Sequence, residues 1–261
     1  MQLSIVKIGG NIIDDERRLS AFLDGFAILP GKKILVHGGG RLATKIAEGL
    51  GIRQELVDGR RITGAETLKV VTMVYAGTIN KNIVAGLQSR GCDAIGLTGA
   101  DGNAILSHRR TTGASVDYGF VGDVDAVNSS LLTSLLMLDR VLVFAPITHD
   151  GKGQLLNTNA DTIAQELARA LAGTFETSLV YSFEKSGVLR DAGDESSVIP
   201  RIGPAEYRDL KASQAIFAGM IPKLDNAFAA LRSGVGKVII GRAEDLPQLL
   251  AGKAGTTIVN E

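Results

Sequence analysis

A lysine between apolar residues and followed by two glycines, Val6-Lys7-Ile8-Gly9-Gly10, and a second apolar run that ends in His37-Gly38-Gly39-Gly40, offer the clearest chemistry in this chain. Glycine lacks a Cβ atom, admits φ > 0 and lets backbone N–H groups approach a ligand. Where a helix begins directly afterwards, those groups lie at the positive end of its dipole. Both turns therefore suit an anion, most naturally a phosphate, although three glycines also suit a plain strand-to-helix turn. A second lysine, Lys223, starts a helical pattern late in the chain. Two ammonium groups with glycine N–H donors meet the needs of phosphoryl transfer, because charge spreads over the oxygens of the moving group and the protein mainly positions and stabilises it. The ordinary alternative for a lysine is a solvated surface position, which fits Lys7 poorly given its apolar and glycine neighbours.

Further candidates are polar residues of a projecting ribbon and of a helix start. Arg61, in Asp58-Gly59-Arg60-Arg61-Ile62-Thr63, can make a two-pronged contact with a carboxylate. Asn157 and Asn159 can add amide hydrogen bonds; Asn159 also reads as an N-cap, with Asp161 as a first-turn carboxylate that favours the helix dipole. His37, His108 and His149 have neither metal-ligand spacing nor a serine or cysteine partner, so no catalytic role is assigned to them and no metal-binding residues are expected. His37 to Ala43 also matches a Gly-x-Gly-x-x-Ala dinucleotide fingerprint, but Asp58, at the right distance for the acidic partner, falls in a turn. The P-loop pattern, with its glycine-lysine-serine or threonine ending, is absent, which disfavours a conventional nucleotide triphosphatase.

These residues belong to a chain of 261 residues, 45% hydrophobic with 32 glycines, long enough for one large α/β domain or two closely joined lobes. With 28 basic and 28 acidic residues, no net field favours nucleic acid or a membrane surface, and an anion must be held locally. The single cysteine, Cys92, excludes an internal disulfide and reads as a small core residue, consistent with the cytoplasm. No secretory leader precedes the first strand, and no apolar stretch approaches the ~20 residues of a membrane span.

The elements that would position the candidates follow from periodicity. Leu3 to Ile8 and Lys32 to Val36 read as strands, each ending in glycine and followed by a helix; the second helix has Leu42, Ile46 and Leu50 on one face. Two such units imply a parallel sheet with right-handed crossovers, and ligands bind beyond the carboxyl ends of its strands. Gln54 to Thr63 reads as a hairpin turning at Asp58-Gly59, and a long helix interrupted at Gly77 covers Ala65 to Leu87. Ala94 to Leu97 and Val141 to Ala145 are buried strands, with antiparallel ribbons over Ala104 to Val124 and a helix from Asn128 to Leu136 between them. After a hairpin turn at Asp150-Gly151-Lys152-Gly153, Asn159 opens a helix. Ser178 to Phe183 is a strand, Asp191 to Ser197 a solvated loop, Lys223 stands at the head of a helix, and Lys237 to Ile240 is a late strand.

Taken in order, several segments resemble the acylglutamate branch of the amino acid kinase family over nearly the whole chain. They are Val6 to Gly10, Val36 to Gly40, Asp58 to Thr63, Ala76-Gly77-Thr78-Ile79-Asn80-Lys81, Gly96 to Asn103, Gly119-Phe120-Val121-Gly122-Asp123-Val124, Leu156 to Asp161 and Gly219-Met220-Ile221-Pro222-Lys223. The resemblance implies an open αβα sandwich with a mainly parallel central sheet, the carbamate kinase-like fold. Its N-terminal lobe, about residues 1–147, would bind an acylglutamate, and its C-terminal lobe, about 148–261, would bind ATP. It further implies that Lys7 and Lys223 stabilise the transferring phosphoryl group, that Gly10, Gly39 and Gly40 donate backbone hydrogen bonds, and that Asp161 orients the lysines. Arg61 and Asn157 would hold the α-carboxylate and amide of the acylglutamate, with Asn159 close by. Gly9, Ser182 and Gly187 would join Lys7, Gly10 and Lys223 around ATP, whose phosphates would carry Mg²⁺. The implied reaction phosphorylates the γ-carboxylate of N-acetyl-L-glutamate, a step of arginine biosynthesis. Its nucleophile is already ionised at neutral pH, so no general base is needed.

The chain departs from the family where a Ser-Asp-Val-x-Gly-Val segment is usual, having Ser182-Phe183-Glu184-Lys185-Ser186-Gly187-Val188. Only six residues precede Lys7, whereas arginine-regulated members carry an N-terminal helix and form hexamers; a homodimer without that feedback is expected. N-succinyl-L-glutamate is an alternative acceptor, and a nucleotide or amino-acid sensor of the same fold is an alternative from another class. The presence of Lys7, Asp161 and Lys223 together favours the enzyme.

Overall fold

The computed structural model describes residues 1–57, 60–111, 116–191, 193–213, 216 and 220–260. The expected turn Asp58-Gly59, residues 112–115 of the expected ribbon, Ala192 of the expected loop and Gly219 ahead of Lys223 lie outside the described residues. In chain order the strands are β1 (Gln2–Ile8), β2 (Lys32–His37), β3 (Leu56–Val57), β4 (Arg60–Arg61), β5 (Ala94–Leu97), β6 (Ile105–Arg109), β7 (Gly122–Val127), β8 (Val141–Phe144), β9 (Ile147–His149), β10 (Leu155–Asn157), β11 (Glu176–Phe183), β12 (Arg201–Ile202), β13 (Lys237–Arg242) and β14 (Thr256–Ile258). The helices are α1 (Gly10–Ile13), α2 (Glu16–Ala27), α3 (Gly40–Gly49), α4 (Ala65–Thr72), α5 (Asn80–Gln88), α6 (Ser129–Met137), α7 (Ala160–Leu171), α8 (Pro204–Ala212), α9 (Ile221–Arg232) and α10 (Leu246–Leu250). A π-helical turn, Met73–Ile79, joins α4 to α5 and contains Gly77, where the sequence pattern is interrupted.

The central sheet has the order β12-β14-β13-β11-β1-β2-β8-β5. From β13 to β5 its neighbours are parallel, and β14 runs antiparallel to β13. A smaller sheet, β10-β9-β6-β7, lies beside it, and β3 pairs with β4 as the expected hairpin. The chain leaves β1 for β2 on one side and later runs from β11 to β13 on the other. The carboxyl ends of β1 and β11 therefore flank a point where the winding reverses, which is where open α/β sheets form ligand crevices.

Alternation along β1 assigns each residue to a face. Leu3 and Ile5 enter a core with α6, α7 and α9, while Val6 and Ile8 enter a second core with α2, α4 and α5. Lys7 shares parity with Leu3 and Ile5, which directs it to the face covered by α7 and α9. Both strand faces are buried, so β1 reads as a nearly continuous apolar run.

One expected face is corrected. In α3 the buried residues are Ala43 and Ala47, whereas Ile46 is 36% and Leu50 62% exposed. Small side chains let α3 pack closely against α4, so Ala43 and Ala47 rather than Ile46 and Leu50 turn inward, while Leu42 is half-buried against the second core. The elements α8, β12, α10 and β14 have no counterpart in the sequence reading. Two of them are strands of two or three residues and one is a five-residue helix, too short to show a period. Among the described residues no helix is long and apolar enough to cross a membrane.

Candidate active site

The end of β1 brings Lys7 to the start of α7, where its Nζ lies 2.8 Å from Asp161 Oδ1. Asn159 caps this helix, its side-chain oxygen accepting from the N–H groups of Asp161 (2.8 Å) and Thr162 (3.1 Å). The cap fixes the first turn and with it the carboxylate that meets Lys7. Lys223, near the start of α9, joins the same face. Its ammonium stands 4.4 Å from the centroid of the Phe183 ring. Burial first, and then the charge of Lys7, hold the Lys223 pKa below its ordinary value, against the opposing charges of Asp161 and Glu184. Two ammonium groups thus repel each other in a partly desolvated place, an arrangement that a bound anion relieves.

The second glycine turn is held from behind by a buried polar network. His37 Nδ1 lies 2.8 Å from the Gly38 carbonyl oxygen. A carbonyl only accepts, so Nδ1 carries the proton, and Nε2 accepts from Asn80 Nδ2 at 3.2 Å. Asn80 Nδ2 also donates to the Val143 carbonyl at 2.9 Å. Burial lowers the His37 pKa to about 4, which keeps the ring neutral. Because the peptide is planar and trans, holding the Gly38 carbonyl toward His37 turns the Gly39 N–H the opposite way. Gly39 itself has φ 147° and ψ 14°, and a Cβ there would stand 2.3 Å from Ile79 Cδ1. Only glycine suits that position. No side chain caps α3, so the N–H groups of its first turn remain available to a ligand.

Two cavities adjoin these groups and share Gly40. The larger, about 570 Å³, is bounded by Lys7, Gly9, Gly10, Gly40, Gly187 and Lys223, with Phe183 and Glu184 from the end of β11 and an apolar wall that includes Val188, Leu189 and Met220. The smaller, about 210 Å³, is lined by Gly39, Gly40, Arg61, Tyr75, Arg110, Asn157 and Asn159. Arg61 reaches the rim from β4, with its Nη2 donating to the Gly40 carbonyl and to Thr44 Oγ1, both at 2.8 Å, and its Nη1 donating to Gln54 Oε1. Asn157 Nδ2 donates to Thr63 Oγ1 at 3.0 Å.

The candidates from the sequence are therefore gathered at this place, with one exception. Ser182 is buried at 2% exposure and does not line the larger cavity. Alternation on β11 turns its side chain away from the face that carries Lys7, while Phe183 and Tyr181 face that way. The sequence reading did not select Phe183, Tyr75 or Arg110. Phe183 was visible only as a departure from an expected motif, Tyr75 lies inside what reads as a regular helix, and Arg110 follows another arginine in a strand where either can face inward. Among the described residues no group of three or more histidine, cysteine, aspartate or glutamate side chains is disposed to hold a metal.

The Amino acid kinase family matches residues 2–242. Acetylglutamate kinase of Cytophaga hutchinsonii is 58% identical over 249 residues, covering 95% of this chain and 94% of the relative. Acetylglutamate kinase of Bacteroides fragilis is 58% identical over 239 residues, covering 92% of this chain and 91% of the relative. Among solved structures, N-acetylglutamate synthase from Neisseria gonorrhoeae superposes with a TM-score of 0.84 at 20% identity, covering all of this chain and 60% of that one, a likeness of fold.

Proposed function

The chain belongs to the amino acid kinase family, and on that premise we propose that it transfers the γ-phosphoryl group of ATP to the γ-carboxylate of N-acetyl-L-glutamate, giving N-acetyl-L-glutamyl 5-phosphate and ADP. The acceptor is the one named for relatives 58% identical over nearly the full length. The observation that carries the reading within the molecule is the pair of cavities that share Gly40 in their linings, one large enough for a nucleotide and one lined by arginine and asparagine.

In this reading the N-terminal lobe, about residues 1–147, supplies most of the acylglutamate site and the C-terminal lobe, about 148–261, most of the ATP site. Arg61 and Asn157 hold the α-carboxylate and amide of the substrate, with Asn159 nearby, and the γ-carboxylate points toward Gly40. The N–H groups of Gly10, Gly39 and Gly40, with Lys7 and Lys223, surround the γ-phosphoryl group, and Asp161 orients the lysines. Gly9 and Gly187 border the nucleotide. An oxygen of the γ-carboxylate attacks the γ-phosphorus, the bond from phosphorus to the bridging oxygen breaks, and ADP leaves with that electron pair. No proton moves, since a carboxylate with a pKa near 4.3 is ionised at neutral pH; a neutral, buried His37 is consistent with this. The chief obstacle is repulsion between two anions, which the paired lysines and oriented N–H groups offset. Mg²⁺ would be held mainly by the ATP phosphates and would neutralise part of their charge. Action as a cytoplasmic homodimer belongs to the same proposal and is checked by sedimentation.

The test is incubation of purified protein with Mg-ATP and N-acetyl-L-glutamate, with ADP and the acyl phosphate, trapped by hydroxylamine, as products. N-succinyl-L-glutamate is the comparison substrate. No ADP with the acetyl substrate overturns the reading.

A further inference from the structure

Arg110 lies just beyond the end of β6, and its side chain forms part of the wall of the smaller cavity. It is held there by three groups. Its backbone N–H donates to the Val121 carbonyl at 2.7 Å, and its guanidinium carbon stands 5.7 Å from the centroid of the Tyr118 ring. Asp123 grips one edge of the guanidinium, accepting from Nε at 2.9 Å and also from Nη2. Arginine is planar, so gripping the Nε–Nη2 edge leaves Nη1 on the far side, directed away from the carboxylate. Nη1 is buried and, among the described residues, has no hydrogen-bond partner. A buried donor of a charged group without an acceptor is costly, and Arg110 is a residue of the cavity wall, so a small turn of the guanidinium that presents Nη1 to an acceptor on a ligand would relieve that cost.

The charge balance defines that partner. The described residues lining the cavity include two arginines and no carboxylate. Arg61 is engaged by neutral acceptors, namely Gln54, the Gly40 carbonyl and Thr44. Asp123 offsets one guanidinium from behind, leaving one positive charge to be met from within the cavity. N-Acetyl-L-glutamate with its γ-carboxylate at Gly40 has one other charged group, its α-carboxylate. We infer that Arg110 is a second anchor of the α-carboxylate, donating from Nη1, with Asp123 as the group that aims it. This inference rests on the kinase reading for the orientation of the substrate. It assigns the α-carboxylate to two arginines, one from the β3–β4 hairpin and one from the ribbon of the smaller sheet, so that both hold the same end of the acceptor.

The test uses the full chain with two acceptors, N-acetyl-L-glutamate and its α-carboxamide, which retains the reacting γ-carboxylate but not the α charge. Arg110→Gln is expected to raise KM for N-acetyl-L-glutamate by about 10- to 100-fold, the range for losing a charge-assisted contact, with KM for ATP little changed. The wild-type preference for the acid over the amide should shrink by a similar factor, Arg61 retaining the remainder. Unchanged KM for the acid, or an equal loss on acid and amide, overturns the inference. Should Arg110→Gln fail to fold, Arg110→Lys keeps the charge beside Asp123 and removes Nη1. Calorimetric titration of that variant without ATP should show weaker binding of the acid and unaltered binding of the amide, and equal binding of the acid by variant and wild type overturns the inference. A wild-type chain that binds N-acetyl-L-glutamate without forming ADP sinks the kinase reading instead and leaves the calorimetric comparison decisive for Arg110.

Discussion

Lys223 Nζ lies over the face of Phe183, 4.4 Å from the ring centroid, at the mouth of the larger cavity. The ring quadrupole holds a partly desolvated ammonium group in place while no phosphate is bound, an interaction worth roughly 0.5–2 kcal/mol. Phe183→Leu keeps an apolar side chain and removes the ring. It should lower kcat/KM for ATP by about 3- to 20-fold, in line with that energy, and leave KM for the acyl amino acid little altered. Initial rates with ATP varied check this, and an unchanged kcat/KM counts against a positioning role for the ring.

The lowered pKa of Lys223 sets a sign for alkaline pH. In the proposed reaction the charged form binds phosphate, so activity should fall as pH rises through a value below that of an ordinary lysine. Lys223→Arg carries a charge that does not titrate in this range. It should be slower at neutral pH and show its alkaline decline at higher pH than the wild type. Coincident alkaline limbs in the two pH profiles would assign that decline to another group.

Lys7 and Asp161, at 2.8 Å, give a prediction about rate. Lys7→Met removes one of the two charges proposed to face the transferring group and should lower kcat by about 10²- to 10³-fold. Asp161→Asn keeps both lysines and should cost less. Neither partner is fully enclosed, with side-chain exposures of 17% and 27%, so both variants should fold. Steady-state rates and circular dichroism decide, and a Lys7→Met enzyme with wild-type kcat would remove Lys7 from the mechanism.

His37 predicts acid sensitivity of the fold. Its pKa falls from 6.5 to about 4 in the folded chain because the ring is buried. Below pH 6.5 the unfolded chain takes up a proton that the folded chain refuses. The stabilisation is therefore complete above pH 6.5 and is lost progressively as pH falls toward 4. The full effect is about 3 kcal/mol, of which about 2 kcal/mol is gone by pH 5. Urea unfolding of wild type and His37→Gln at pH 7.5 and pH 5 should show a smaller pH dependence in the variant; equal dependence would mean that His37 does not titrate as its burial requires.

The gathering of Lys7, Gly9, Gly10 and the glycines after His37 at the carboxyl edge of the sheet was legible in the sequence. Their chemistry is carried by residue type and by position at strand ends, and alternating or unbroken apolar runs locate those ends from local sequence alone. The cap at Asn159 was legible for the same reason, since it depends on groups two and three residues away. What local sequence leaves open is the side to which a residue turns when two neighbours are equally suitable. Tertiary packing turned Ala43 and Ala47 inward instead of Ile46 and Leu50, and Phe183 instead of Ser182 toward the cavity. It also brought Arg110 into a cavity wall with Arg61, although 49 positions separate them in the chain. Register between strands, the contacts of Asn80 with His37 and Val143, and the grip of Asp123 on Arg110 are relations between separate segments. They exist only once the two cores have closed on either face of β1, and they decide which of the candidate side chains meet at one place.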